Sequence, residues 1–533
     1  MLHSLIGTRL YRPAWFGRIP AGVRINIEHP WPGDPKRGAA IAAGEIEFAG
    51  RLVRAPSPRW FPAAAGDEWL ACWHGFDWLP DVFAAGAAGR DTARELVQSW
   101  LAAEIGYRSV AWRSDVLAAR LFAWTSHFDE IIAGGQPPTL KRALLASLDA
   151  QHRHLARVAG RELTGAAKLR ALKGLVAATV AFGGSDARLA KALTWLQREM
   201  PTQILPDGGH RSRSPSLQLR VLQDLVDIRN MLRAAKVETP GALQDAIERS
   251  APMLRLFRHG DRRLALFNDS LEEDGVLLDL VLTRSETQGR VLAHAPDCGF
   301  ERLQADKCLV VVDTGNRPPP GFDMHAHAGA LSLEMSYGRE RLIVNCGGYR
   351  GPKPSWSRVA RSSAAHSVLV VADTNSSEIR DDDMVNRAPT TVSCERAEHE
   401  GQQWISATHD GYRERFGLIY TRELFLAADG KDLRGEERLS GRPGAAFAVR
   451  FHLHPSVQAS LADDETAALL RSPSGLCWRL RAAGAEMSLG ESVYLGSGEA
   501  RKTQQVVLSG TAAPGGTTVR WALRREDGAA AAG

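Results

Sequence analysis

The chain has 533 residues, 44% hydrophobic and 24% charged, and its 66 basic residues nearly cancel its 61 acidic ones, leaving a formal charge of +5. This length exceeds what one hydrophobic core usually supports, so two or three domains are expected. The near balance of charge excludes a dedicated nucleic-acid binder and leaves room for a local basic cleft toward an anionic polymer.

Residues 1–22 lack the unbroken apolar core, about 7 to 15 residues long, of a signal peptide. No run of about 18 apolar residues occurs anywhere, so no transmembrane segment is expected. A cytoplasmic location is the default expectation, with the periplasm or cell envelope as the alternative. The first 60 residues mix Pro, Gly and short apolar runs and give no clear element. Aromatics then crowd together as Trp60, Phe61, Trp69, Trp73, Phe76 and Trp78. They suit either the packing of a domain start or the stacking of sugar rings.

From about 90 to 260 the apolar residues recur at helical spacing. Asp91 or Thr92 can cap a segment that places Leu96, Val97, Trp100 and Leu101 on one face. Ser114 or Asp115 opens the next, with Leu117, Leu121 and Trp124 in register. Further helices are expected over 139–158, 164–183, 186–199, 215–235 and 241–258, with Gly183-Gly184-Ser185-Asp186 as a stop and restart. Sequential helices with short loops predict a helical-hairpin array or (α/α) toroid.

After about 262 the pattern changes to short strands: Leu264–Phe267, Cys308–Asp313, Ala330–Ser336, Arg341–Asn345, Ser367–Val371, Gly417–Leu426, Phe447–His452 and Thr517–Leu523. Strands without intervening helices predict an antiparallel β-sandwich. The expected organisation is therefore multidomain, α then β: a helical domain over 1–262, a β-sandwich over 263–526 and a disordered tail over 527–533. The cysteines Cys72, Cys298, Cys308, Cys346, Cys394 and Cys477 form no C-x-x-C pair, which argues for scattered buried thiols.

The most informative stretch runs from Met324 to Tyr349. His325 and His327 project to the same side of an extended chain, so two imidazoles can share one site. A third histidine, His366, lies in Ser362-Ser-Ala-Ala-His-Ser-Val-Leu369. The pattern H-A-H-A-G-x-L-S-x-E-x-S-x-G, then R-L-I-V-N-C-G, then A-A-H-S resembles the heparinase II/III C-terminal domain over about 290–455. Trp73-His-Gly-Phe-Asp-Trp-Leu79, Trp112 through Trp124 and Asp207-Gly-Gly-His-Arg-Ser-Arg-Ser-Pro215 look like the helical domain of that family.

The resemblance implies a carbon–oxygen lyase performing β-elimination on uronic-acid-containing polysaccharides. A base must remove the weakly acidic C5 proton, and an acid must protonate the leaving C4 oxygen. By resemblance His325 matches the catalytic histidine of the β domain. His327 and His366 match two ligands of a structural zinc, whose third ligand, an Asp in the family, reads Asn345 here. A neutral amide is the poorer ligand. Two further positions depart from the family. Where it carries Gly-Asn-His, this chain has Gly160-Arg161-Glu162-Leu163, so Arg161 would have to meet the substrate carboxylate. After Ser214-Pro215, where it places a catalytic Tyr, this chain has Ser216-Leu217-Gln218, and leucine transfers no proton.

His210, Tyr337 and Tyr349 are the candidates to supply the missing proton transfer, and Tyr349 is also a candidate substrate contact. The loop of Gly208, Gly209, His210, Arg211 and Arg213 before a helix start suits a carboxylate or sulfate, with Arg211 and Arg213 as substrate contacts. A solvated turn with a capping serine is the bland alternative. Two functional expectations follow: a lyase centred on His325, or a catalytically inactive anionic-glycan-binding or envelope-assembly protein of the same fold. Zinc is the one cofactor implied, and an acidic polysaccharide or oligosaccharide the partner.

Overall fold

The computed structural model describes residues 19–526 apart from 55–59, 104, 107–108, 162, 184–185, 381–384 and 463–464. The expected tail, Glu162, the Gly184-Ser185 pair and most of the first 22 residues lie outside the described residues. The chain forms two compact units that interleave in sequence, in place of a single boundary near 262. One is Met1–Gln203 with Val221–Ile247, and the other is Ile204–Arg220 with Glu248–Gly533.

The first unit is helical. Its main helices are Ala87–Ala102, Ser114–Ser126, Pro138–Val158, Gly165–Ala181 and Asp186–Gln203, close to the expected spans. The helices Ser114–Ser126 and Gly165–Ala181 are buried almost all round, so they are central rather than amphipathic surface helices. They cross at Gly174, where an added Cβ would lie 2.5 Å from the Ala118 backbone. Only small residues permit that approach.

The aromatic cluster is core: Trp69, Trp73, Phe76 and Trp78 are all buried, with Trp73 and Trp78 stacked at 4.8 Å. Trp78 Nε1 donates to the Trp73 carbonyl at 3.0 Å. The packing reading therefore holds for these four rings. The opening segment, unreadable in the sequence, carries the helix Pro35–Ala42, capped by Asp34, and a hairpin of β1 (Glu45–Phe48) and β2 (Arg51–Arg54).

The second unit is built on two antiparallel sheets. Its strands begin with β3 (His294–Ala295), β4 (Phe300–Ala305), β5 (Cys308–Asp313), β6 (Leu333–Tyr337), β7 (Glu340–Val344) and β8 (Leu369–Val371). They continue with β9 (Val392–His399), β10 (Gln402–His409), β11 (Leu418–Leu426), β12 (Asp432–Gly441) and β13 (Ala446–Leu453). The last are β14 (Gln458–Ala462), β15 (Ala467–Arg471), β16 (Cys477–Ala483), β17 (Glu486–Tyr494), β18 (Arg501–Thr511) and β19 (Thr517–Glu526).

One sheet runs β17-β18-β13-β7-β6-β5-β4-β3, with β8 added beside β13; the other runs β14-β15-β16-β19-β12-β11-β10-β9. Strand β11 alternates buried and half-buried residues, as a sheet with one wet face requires. Strands β5 and β6 are buried at every residue, so both their faces are covered. Leu264–Phe267 is not a strand; only Leu264 makes an isolated bridge, to Arg258. Gly275–Arg284, inside the expected β region, is a helix capped by the Asp274 side chain on Val276 N.

Candidate functional site

The site grows from a backbone kink. Asn268 and Asp269 both take left-handed conformations, with φ of 46° and 59°. Asn and Asp tolerate this region better than most residues, though at a cost in backbone energy. The kink is tied on several sides. Asn268 Nδ2 donates to the Arg213 carbonyl at 2.9 Å, and Asn268 Oδ1 accepts from His327 N at 3.1 Å. Asp269 Oδ2 lies 2.8 Å from His325 Nδ1, and Asp269 Oδ1 accepts from Arg350 Nη1 at 2.6 Å. Gly348 passes so close that a Cβ would meet Asp269 Oδ1 at 2.6 Å.

Burial opposes the charge on Asp269, but the hydrogen bond from His325 and the Arg350 guanidinium outweigh it and hold the carboxyl well below the usual range. An ionised Asp269 can only accept, so the proton sits on His325 Nδ1. In the neutral ring Nε2 is then the acceptor. The His325 side chain is 43% exposed, so this nitrogen belongs to a group that solutes can reach.

The glycine loop behaves differently from expectation. His210 is buried, its Nδ1 lies 2.7 Å from Ser212 Oγ, and its backbone N–H is clamped by Gln218 Oε1 at 2.6 Å. Burial, then the charges of His325 and Arg211, push its pKa down to about 3. A neutral, sealed ring is a poor proton donor to substrate.

Arg213 is not a substrate contact. Its guanidinium is buried and donates to the carbonyls of Cys298, Asn316 and Gly299, pairs with Asp313, and lies over the Phe300 ring at 4.9 Å. Every face of the fork is consumed within the unit. Arg211 is half-buried beside it. Leu217 stands in the first turn of the helix Pro215–Ala234, half-buried, between Ser216, whose Oγ donates to Glu273 Oε1, and the Gln218 clamp.

Tyr349 stacks on Trp356 at 6.0 Å, and its hydroxyl accepts from Lys353 N at 3.4 Å. Tyr337 is inside β6, its hydroxyl held by Asp306 and Arg525. Arg161 belongs to the helical unit, exposed just beyond the helix Pro138–Val158. Asp269, Asn268 and Arg350 were missed by sequence reading. The Asn268-Asp269-Ser270 run is a turn-type signal, but nothing local ties it to His325, 56 positions away.

The expected metal ligands come together only in part. His327 Nδ1 lies 3.1 Å from His366 Nε2, but Asn345 Oδ1 is taken by Ser367 N at 3.0 Å. Among the described residues no group of three His, Cys, Asp or Glu gathers. Two imidazoles and a committed amide do not make the donor set that zinc requires.

Residues 287–522 match the family model for the heparinase II/III-like C-terminal domain. The crystal structure of heparinase III superposes with a TM-score of 0.74 at 12% identity, covering 99% of this chain and 89% of that one. Heparan sulfate lyase HepC from Pedobacter heparinus gives 0.62 at 14% identity, over 98% of this chain and 86% of that one. The chain thus carries a heparinase II/III-like C-terminal domain over residues 287–522 and shares the fold of heparinase III, helical first and antiparallel β-sandwich second. A curated relative, FtsZ-localized protein C of Caulobacter vibrioides (strain NA1000 / CB15N), is 29% identical over 546 residues, 96% of this chain and 94% of the relative. Among the described residues no helix is long and apolar enough to cross a membrane.

Proposed function

We propose that this protein is a heparinase-fold component of the cell-division apparatus that associates with FtsZ assemblies on the cytoplasmic side. In this reading its His325 face binds an acidic glycan or a similar anionic group without completing elimination. The observation that carries it is Leu217. Elimination needs both a base and an acid, and loss of either is typically worth about 10²- to 10⁴-fold in rate. His325 offers a base held in one tautomer by Asp269. The other expected participants do not complete the set: position 217 is apolar, His210 is buried, and Arg213 is spent on backbone carbonyls. The assembly role is supported by the end-to-end similarity to a protein named for its localisation with FtsZ.

Two measurements test the reading. A fluorescent fusion should form a band at the division site that disappears when FtsZ is depleted, and purified protein should co-sediment with FtsZ polymers. A diffuse fusion, unchanged by FtsZ depletion, would remove the assembly role. In parallel, purified protein is incubated with heparan, hyaluronan, alginate and bacterial acidic glycans while the ultraviolet absorbance of unsaturated uronates is followed. No rise is expected. A rise abolished by His325→Ala would establish the second reading, a lyase acting on uronic-acid-containing glycans, which the Asp269–His325 pair favours.

A further inference from the structure

We propose that His327 and His366 form a metal-free, hydrogen-bonded imidazole pair, and that the amide of Asn345 keeps a cation out of the place where the fold family holds zinc. The tautomers follow from the partners. His366 Nδ1 lies 2.7 Å from the Ser362 carbonyl, which can only accept, so Nδ1 carries the proton and Nε2 is bare. That bare Nε2 lies 3.1 Å from His327 Nδ1, so His327 Nδ1 is the donor between the rings. The rings meet edge to face, with centroids 5.1 Å apart and planes at 85°. Each ring is thereby neutral and in one tautomer, with no ion between them. The seat is tight: a Cβ at Gly329 would lie 2.6 Å from His366 Cδ2.

Asn345 decides the cation question. It is fully buried, and the Ser367 backbone N–H donates to its Oδ1, which fixes the orientation of the amide. The end left over is Nδ2, a buried donor without a hydrogen-bond partner. A donor carries positive charge outward and cannot ligate a cation. A carboxylate in its place would keep the Ser367 bond on one oxygen and present the second as an anionic ligand.

The neighbouring acid cannot substitute. Glu334 is occupied by Asn345 N at 2.8 Å on one oxygen and by His259 Nε2 at 3.0 Å on the other. Arg361 adds a cation one residue away, its Nε donating to the Ala326 carbonyl at 2.9 Å. With an amide donor where a carboxylate would stand and a guanidinium nearby, the two rings lack the anionic partner that a divalent ion needs.

The test uses the full chain. Wild-type protein and Asn345→Asp are loaded with zinc, dialysed against metal-free buffer, and analysed for metal by plasma mass spectrometry. Thermal melts are recorded with and without EDTA. Wild type is expected to hold far less than stoichiometric zinc and to melt at the same temperature in chelator. Asn345→Asp is expected to retain a stoichiometric zinc and to lose melting temperature when it is chelated. Stoichiometric zinc in wild type, or a melting temperature lowered by EDTA, would overturn the proposal. So would a folded Asn345→Asp that takes up no zinc. Should that variant not fold, ¹⁵N-edited NMR of the wild-type imidazoles decides: a proton on Nδ1 of both rings is expected, and an Nε2–H His366 overturns it.

Discussion

Among single residues, Arg213 anchors the glycine loop through its buried pairing with Asp313 and its bonds to three backbone carbonyls. An arginine in a Gly-Gly-His-Arg-Ser-Arg loop reads as an anion contact. Here its side chain is only 8% exposed and bridges carbonyls to the 5%-exposed Asp313. Removing one partner of such a pair leaves a buried, uncompensated charge and typically costs about 3–5 kcal/mol. Arg213→Ala is therefore expected to lower the urea midpoint strongly, whereas Arg211→Ala should shift it by far less. Equal shifts would mean that Arg213 is not the structural member. The histidines were readable, because residue type and spacing carried them. Asp269 was not, since a positioning carboxylate far along the chain leaves no local pattern.

The elements were readable where periodicity was strong. The helices Pro138–Val158 and Gly165–Ala181 lie within two residues of their expected limits. Strand β5 matches its expected span at both ends. The misses have physical causes. Leu264–Phe267 is a four-residue apolar run, too short to choose between strand and buried loop, and its neighbours fix it without a ladder. Gly275–Arg284 is equally apolar, and its cap at Asp274 was the overlooked signal. Element packing gives its own prediction at Gly174. Gly174→Ala gains helix propensity of about 1 kcal/mol, yet forces a Cβ to within 2.5 Å of the Ala118 backbone. Overpacking of this kind typically costs about 1–3 kcal/mol, so the variant should melt below wild type by circular dichroism. A higher melting temperature would show that the two helices separate freely.

At the scale of the whole molecule, a buried carboxylate, Glu272, contributes to acid sensitivity. Glu272 meets Tyr494 Oη, Arg263 Nη1 at 2.8 Å and His454 Nε2 at 3.7 Å. Burial raises its pKa, but His454, Arg341, Tyr494 and Arg263 more than reverse this and leave it depressed. A depressed carboxylate contributes stability that is present above its unfolded value of about 4.3 and is lost as pH falls through the folded value. Glu272→Gln should therefore be less stable than wild type at neutral pH and lose less on acidification, as read from denaturation midpoints across that range. Parallel curves for the two proteins would exclude Glu272 as a contributor. The two-part architecture was readable from the change of period near 262, but the interleaving was not, because residues 204–220 carry no strand pattern that would assign them to the β unit. That interleaving has an evolutionary corollary. The chain crosses between its units at three points, after Gln203, Arg220 and Ile247. No single recombination breakpoint can thus move either unit intact into another gene as a cassette.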